Sequence, residues 1–294
     1  MRIEVAASAP GKVILFGEHA VVHSQPAIAA SLDDLRIYCS MIYSSLDEQE
    51  NEKGLLTINM PHFKGGLVYR ISMANARLSR ADFDTDPKTP SKETLLALSE
   101  MIKVSNIDNQ DEMREDEVEA LLPLLFLLNG IVPYALVEDK SLTIIVRSED
   151  LPVGAGLGSS AAFSVAVSAA LYQLNFRLND EQNTDVLLHK KILSKHVLEV
   201  INSWAFAAEG VIHGNPSGLD NTVSCFGGAI YYQKDGSSRN MKSFHQLKIP
   251  PLDMILSNTF IPRSTKALVA SVARRKEEYM FMNDVICAIG KISA

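Results

Sequence analysis

Leu151-Pro152-Val153-Gly154-Ala155-Gly156-Leu157-Gly158-Ser159-Ser160 joins two apolar stretches, Leu142–Val146 before it and Ala161–Leu174 after it. The first stretch is rich in β-branched residues and reads as a largely buried strand, and the second, long and small, reads as a buried helix. Glycines at a strand-to-helix junction lack a Cβ, so successive backbone N–H groups can converge on one point. The partial positive charge of the helix N-terminus adds to them, and such a concavity holds phosphate. Ser159 and Ser160 add hydroxyls that can cap the helix, bond a phosphate oxygen or ligate a cation. A tight turn with no ligand is the plain alternative.

Two familiar glycine patterns do not apply. No lysine follows the last glycine, as a P-loop requires, and the Gly-x-Gly-x-Gly-Ser-Ser spacing is not the Gly-x-Gly-x-x-Gly of a dinucleotide fold.

The chain has 294 residues, enough for one large or two ordinary domains with a substantial core. A net charge of −7 argues against a broad nucleic-acid or anionic-membrane footprint. No apolar run reaches membrane-spanning length; the longest, Ala120–Leu128, is interrupted by Pro123. Met1 leads straight into an alternating strand, so no signal peptide is expected. The 3 cysteines, Cys39, Cys225 and Cys287, are odd in number and widely separated, which fits neither a disulfide framework nor a zinc site. A reducing, cytoplasmic setting is the default, with the peroxisome left open.

Along the chain, Arg2–Ala7, Lys12–Phe16, Ala27–Leu32 and Arg36–Tyr43 read as strands broken by Pro10-Gly11 and Gln25-Pro26, which suggests a mixed sheet. From Asp47 to Gln110 the signal weakens, and Asp82–Lys92 reads as a surface loop. Asn106–Glu119 carries 7 acidic residues against one arginine and reads as a solvated face. An apolar helix is expected over Glu117–Asn129, and His189–His213 has near-helical spacing of apolar residues. Gly227–Tyr232 and Leu252–Leu256 read as strands, and Ser264 to Arg275 as a helix. Lys234–Lys242 is a polar connector and the best candidate domain boundary.

Three polar clusters sit where sites are usually built. In the first, Lys12 follows Pro10-Gly11, and Glu18 and His19 follow Gly17. An isolated lysine here would be a surface residue, and an isolated histidine a structural one. The second is the glycine loop. The third pairs Glu209, on the small-residue side of a helix end, with Asp220 after a turn-rich loop. A buried carboxylate must be paired or ligating, whereas Asp220 alone would be read as an Asx turn. Together they suggest phosphotransfer. Ser160 and Glu209 suit magnesium, which takes hard oxygen ligands. Loop amides and Lys12 supply positive charge to a moving phosphoryl group, and Asp220 is placed to take the acceptor's proton.

Pro10-Gly-Lys-Val-Ile-Leu-Phe-Gly-Glu-His-Ala-Val-Val-His23, Pro152–Ala162 and His213-Gly-Asn-Pro-Ser-Gly-Leu-Asp-Asn221 resemble the motifs of the mevalonate kinase family. That family lies within the superfamily of galactokinase, homoserine kinase, mevalonate kinase and phosphomevalonate kinase. The resemblance runs from residue 3 to about 275. Galactokinases share Gly-Glu-His but usually continue Thr/Val-Asp-Tyr, where this chain has Ala20-Val21-Val22-His23. The resemblance implies ATP-dependent phosphorylation of the C5 hydroxyl of (R)-mevalonate to 5-phosphomevalonate, a step toward isoprenoids and sterols, with Mg2+ as the metal. It implies Asp220 and Lys12 as catalytic residues. Lys12, Ser148, Gly154, Ala155, Gly156, Leu157, Gly158, Ser159 and Ser160 would meet ATP, Ser160 and Glu209 the metal, and Glu18, His19 and Thr265 mevalonate. The implied fold is α+β. A ribosomal-S5-domain-2-like α/β domain would take residues 1–235 and the start of a ferredoxin-like domain residues 245–294, commonly in a homodimer.

The sequence departs from the family pattern at two points. A third glycine-rich motif, roughly Thr-Gly-Ala-Gly-Gly-Gly-Gly-Cys, would fall beyond Ala294, so the chain is expected to be truncated and its turnover weak or absent. Phe163 stands where an aromatic with a hydroxyl is common. The alternatives are another small-molecule kinase of the superfamily, separable by its acceptor, and a non-catalytic nucleotide-binding isoform. A pure binder has no need of an acceptor base such as Asp220.

Overall fold

Alternating buried and exposed residues shape the longest hairpin of the chain, in which β1 (Arg2–Phe16) lies antiparallel to β2 (Ala27–Ser44). The computed structural model describes residues 1–18, 20–45, 54–63, 65–78, 87–88, 90–104, 107, 113–179, 193–214, 216–234, 241–257 and 265–293. Of the two breaks expected here, Gln25-Pro26 does separate the strands, whereas Pro10-Gly11 does not interrupt β1. Pro10 pairs with Arg36 and Gly11 with Leu32, so the chain passes through a register slip at Pro10/Gly11 rather than a turn. A bulge of this kind accommodates a proline, which cannot donate to the ladder, and bends the strand.

The weak-signal region contains a second hairpin, β3 (Leu55–Met60) with β4 (Leu67–Ser72), and the helix α1 (Lys92–Val104). Leu56, Ile58, Tyr69 and Ile71 point into the core. The helix α2 (Glu115–Ile131) carries Pro123 within it and buries Leu121, Leu124, Leu125 and Leu128. Of the expected acidic face, residues 108–112 lie outside the described residues. Glu115 and Glu119 are exposed, but Met113 and Val118 are buried. Most of the expected loop at 82–92 is likewise outside, and Lys92 already belongs to α1.

β5 (Ser141–Ser148) runs parallel to β3 and antiparallel to β2, followed by the glycine loop and α3 (Ser159–Asn179). The expected helix over 189–213 is described as α4 (Lys195–His213), capped by Ser194, whose hydroxyl accepts from the Val197 N–H; residues 189–192 lie outside. A short helix α5 (Leu219–Phe226) leads into β6 (Ala229–Lys234) and β7 (Met241–Leu247). The strand order is β4-β3-β5-β2-β6-β7, with β1 also on β2, in one seven-stranded mixed sheet. The connector expected to mark a domain boundary therefore joins two neighbouring strands, and the sheet extends to Leu247.

Leu252–Leu256 is not a strand: it is exposed and pairs with no strand among the described residues. The helices α6 (Thr265–Glu278) and α7 (Met282–Ser293) follow. The main core lies between the sheet and α1 to α4, where Trp204 meets Phe126 at 6.1 Å between ring centres. The chain is α+β, and no described helix is long and apolar enough to cross a membrane.

Candidate active site

The bulge at Pro10/Gly11 gives the site its geometry. The Ser224 hydroxyl of α5 donates to the Pro10 carbonyl at 2.7 Å, and the Lys12 N–H donates to the Leu157 carbonyl of the glycine loop at 2.9 Å. β1 is thereby clamped between α5 and the loop. The Lys12 side chain is carried into the interior, where its Nζ lies 3.3 Å from Asp220 Oδ2. Lys12 is 6% exposed, so its ammonium depends on this partner.

The loop is tied at its base. The Ser148 hydroxyl donates to the Leu151 carbonyl at 2.6 Å, and the Ser148 N–H donates to His62 Nδ1 at 3.3 Å. Ser148, expected to touch nucleotide, thus spends its hydroxyl on anchoring the loop. Residues 153–156 form an exposed tip. Gly154, Gly156 and Gly158 have φ of +77°, +79° and +70°. At Gly158 the reason is also steric, since a Cβ would lie 2.7 Å from Lys12 Cγ. With the start of α3, this tip presents backbone donors to an anion.

Two adjacent helices face each other through residues one turn apart. On α3, the Ser160 hydroxyl lies 3.3 Å from Glu209 Oε2, and the Ser164 hydroxyl donates to Glu209 Oε1 at 3.2 Å. On α4, Glu209 is followed one turn later by His213, whose Nε2 lies 3.1 Å from Ser160 Oγ. Burial, and then the charge of Asp220, push the Glu209 carboxyl up to about 8, against the serine hydrogen bonds and Lys12. Burial lowers the pKa of His213, with Asp220 opposing.

Asp220 sits in the first turn of α5, where the helix dipole favours a carboxylate. The Asn221 side-chain amide donates to Asn202 Oδ1 at 2.7 Å, joining α5 to α4. Beside the loop lies a cavity of about 240 Å³, with Met60, Phe63, Pro123, Val146, Phe163 and Ile212 among its apolar lining and His62, Glu119, Ser148, Ser159 and Ser160 as its polar members. Such a site can hold a flat apolar group whose anionic tail reaches the loop.

Of the residues expected in the site, Lys12, Gly158, Ser160, Glu209 and Asp220 come together. Glu18 is exposed on the turn after β1. His19 lies outside the described residues, as does the side chain of Thr265, which opens α6. The sequence reading missed Ser164, hidden among small residues, and His62 and Phe63, in the weak-signal region. It also treated His213 only as the end of a helix. The spacing of Ser160 to Ser164 and of Glu209 to His213 was the available signal. No group of three or more His, Cys, Asp or Glu able to hold a metal occurs among the described residues. A cation here would take protein oxygens from Ser160 and Glu209 and the rest from a ligand or water, as Mg2+ does.

Residues 127–228, which contain α3, α4 and α5, match the model of the GHMP kinases N terminal domain. The chain is 39% identical over 273 residues to mevalonate kinase of Mus musculus, covering 92% of this chain and 63% of that protein. It is 33% identical over 299 residues to mevalonate kinase of Arabidopsis thaliana, covering 99% of this chain and 72% of that protein. The chain thus spans less than two thirds of the mouse relative. A crystal structure of L. major mevalonate kinase in complex with R-mevalonate shares the fold, with a TM-score of 0.53, 22% identity, and coverage of 96% of this chain and 64% of that one.

Proposed function

The chain belongs to the mevalonate kinase family, and from that premise we propose that it transfers the γ-phosphoryl group of ATP to the C5 hydroxyl of (R)-mevalonate. The observation that carries this reading is the Lys12–Asp220 pair at 3.3 Å, set beside the glycine loop and the Ser160–Glu209 contact at 3.3 Å.

Each residue has a role in the proposal. The cavity beside the loop takes the flat base of ATP against Phe63, Phe163 and Ile212, and the exposed tip and the start of α3 take the phosphates. Ser160 and Glu209 hold Mg2+, which when bound neutralises phosphate charge. Asp220 accepts the proton of the C5 hydroxyl as that oxygen bonds to the γ-phosphorus and the bond to the bridging oxygen of ADP breaks. Lys12 offers its ammonium to the moving phosphoryl oxygens. Glu18, His19 and Thr265 are proposed to face mevalonate on the strength of the family motifs alone.

The same likeness supports a ribosomal-S5-like description of the sheet-bearing part and a ferredoxin-like one for the residues after Leu247, with two copies per assembly. A cytoplasmic setting is supported by the free thiols of Cys39, Cys225 and Cys287.

The test supplies ATP and Mg2+ with (R)-mevalonate, galactose, homoserine or phosphomevalonate in turn, with phosphorylated product read by mass. Product is expected from (R)-mevalonate alone, at a rate that falls steeply in Asp220→Asn. Phosphorylation of another acceptor in its place, or a rate of product formation undiminished in Asp220→Asn, refutes the reading.

A further inference from the structure

We propose that His213 is a positioning residue of the cation site, its Nε2 accepting the hydroxyl proton of Ser160 so that a lone pair of that oxygen faces the cation. This rests on the phosphotransfer reading above and extends it to a residue that reading leaves idle.

A serine hydroxyl has one proton and two lone pairs. Around Ser160 Oγ stand Glu209 Oε2 at 3.3 Å and His213 Nε2 at 3.1 Å, the latter an acceptor when the ring carries its proton on Nδ1, and these two lie 3.6 Å from each other. With no cation the proton can go to either. Once a cation draws on both Ser160 Oγ and Glu209 Oε2, a proton aimed between them would point at positive charge. The histidine nitrogen is then the acceptor that keeps Ser160 in a ligating orientation, in the way outer-shell partners orient the ligands of other metal sites.

The surrounding helices support this division of labour. Ser164 holds the other oxygen of Glu209 at 3.2 Å, which leaves Oε2 for the cation side. His213 closes α4, where the Gly214 N–H still bonds the Gly210 carbonyl at 2.9 Å, so the ring is carried on ordered helix. His213 follows Glu209 by one turn and faces the same way. Its side chain is 42% exposed, so removing it opens no cavity in the core.

The experiment compares wild-type chain, His213→Leu and His213→Gln. Mn2+ retained by each in the presence of a non-hydrolysable ATP analogue is read by electron paramagnetic resonance. Mg2+ dependence of turnover, KM for the acceptor and Tm are measured alongside. His213→Leu is expected to weaken Mn2+ retention about tenfold, at the lower end for outer-shell changes, and to raise the Mg2+ needed for half-maximal turnover by a similar factor. KM for the acceptor and Tm should stay near wild type. His213→Gln, whose amide oxygen can accept at similar reach, should recover most of the loss. Unchanged Mn2+ retention and Mg2+ dependence in His213→Leu overturns the inference alone. So does a loss spread over Tm and every kinetic constant that glutamine does not rescue. Wild-type chain that retains no Mn2+ with the analogue overturns the phosphotransfer reading and the inference with it.

Discussion

Lys12 Nζ lies 3.3 Å from Asp220 Oδ2, although one residue sits in the first strand and the other in the helix before the sixth. The Lys12 side chain is 8% exposed and that of Asp220 34%, so the lysine is the more dependent partner. Removing one member of such a pair leaves a charge without its counter-ion, which costs more than removing both. Asp220→Asn should therefore lower Tm as well as kcat, and adding Lys12→Met should recover part of the Tm but none of the turnover. Loss of a general base predicts a fall of about 10²–10⁴ in kcat, with ATP binding retained. Thermal melts and ATP titrations on the wild-type chain and the two variants check this. A double variant less stable than Asp220→Asn alone counts against the pair.

Gly158→Ala tests the close approach of the loop to the lysine. The new Cβ would meet Lys12 Cγ at 2.7 Å at a φ of +70°, a conformation that L side chains rarely adopt. Backbone strain of this kind costs about 1–3 kcal/mol, and the displaced ammonium leaves Asp220. Turnover should drop with stability. Gly154→Ala meets no atom within 4 Å, though its φ of +77° still strains the backbone, so it should lose less stability than Gly158→Ala and leave the Lys12–Asp220 pair in place. Equal loss of stability in both variants would show that Lys12 contact is not what Gly158 protects.

The residues legible in the sequence were those standing out against their surroundings. Glu209 is a carboxylate in an apolar helix, Asp220 follows a run of turn formers, and Ser160 ends a glycine series. Their convergence was not legible, because it depends on contacts between distant segments, such as Ser224 to Pro10 and Lys12 to Leu157. The same limit explains Pro10-Gly11. Local signals favour a turn, but pairing with β2 continues on both sides and converts it to a bulge. β7 was missed because its first residues fell in the polar connector expected over Lys234–Lys242 and no strand was expected between it and Leu252, and pairing with β6 outweighs the weak local propensity. Leu252–Leu256 failed in the opposite sense, with strand-like residues and no strand beside them.

Glu209 predicts a pH dependence of stability. Its carboxyl stands at about 8 in the fold against an ordinary 4.5, from burial and then from Asp220. A raised pKa means that the folded state holds the proton more tightly, so the contribution is full below about 4.5 and is lost as pH rises through about 8. Without nucleotide or metal, wild-type Tm should fall relative to Glu209→Gln across that window. Mg2+ with an ATP analogue should oppose the fall, since a cation prefers the carboxylate. Parallel Tm curves for the two proteins between pH 5 and 8.5 would remove Glu209 as the source.

Tyr232 holds the turn from which Asp220 departs. Its hydroxyl donates to the Ser217 carbonyl at 2.5 Å, and burial followed by the charge of Asp220 pushes the phenol up to about 12, so it remains a donor at neutral pH. The ring also accounts for Gly218. At φ +85° a Cβ there would sit 2.8 Å from the Tyr232 oxygen, so the turn closes against the phenol only with glycine. Tyr232→Phe keeps the packing and removes the one bond, a loss of about 1 kcal/mol in stability. The larger consequence falls on Asp220, whose helix loses its fixed starting point. A near-attack geometry is sensitive to small displacements of the base, so kcat should fall several-fold while KM for ATP, set by the loop and cavity, holds. Steady-state kinetics with both substrates varied decide the matter. A Tyr232→Phe protein with unchanged kcat would mean that the Asn202–Asn221 and Thr222–Gly218 bonds alone keep Asp220 in place.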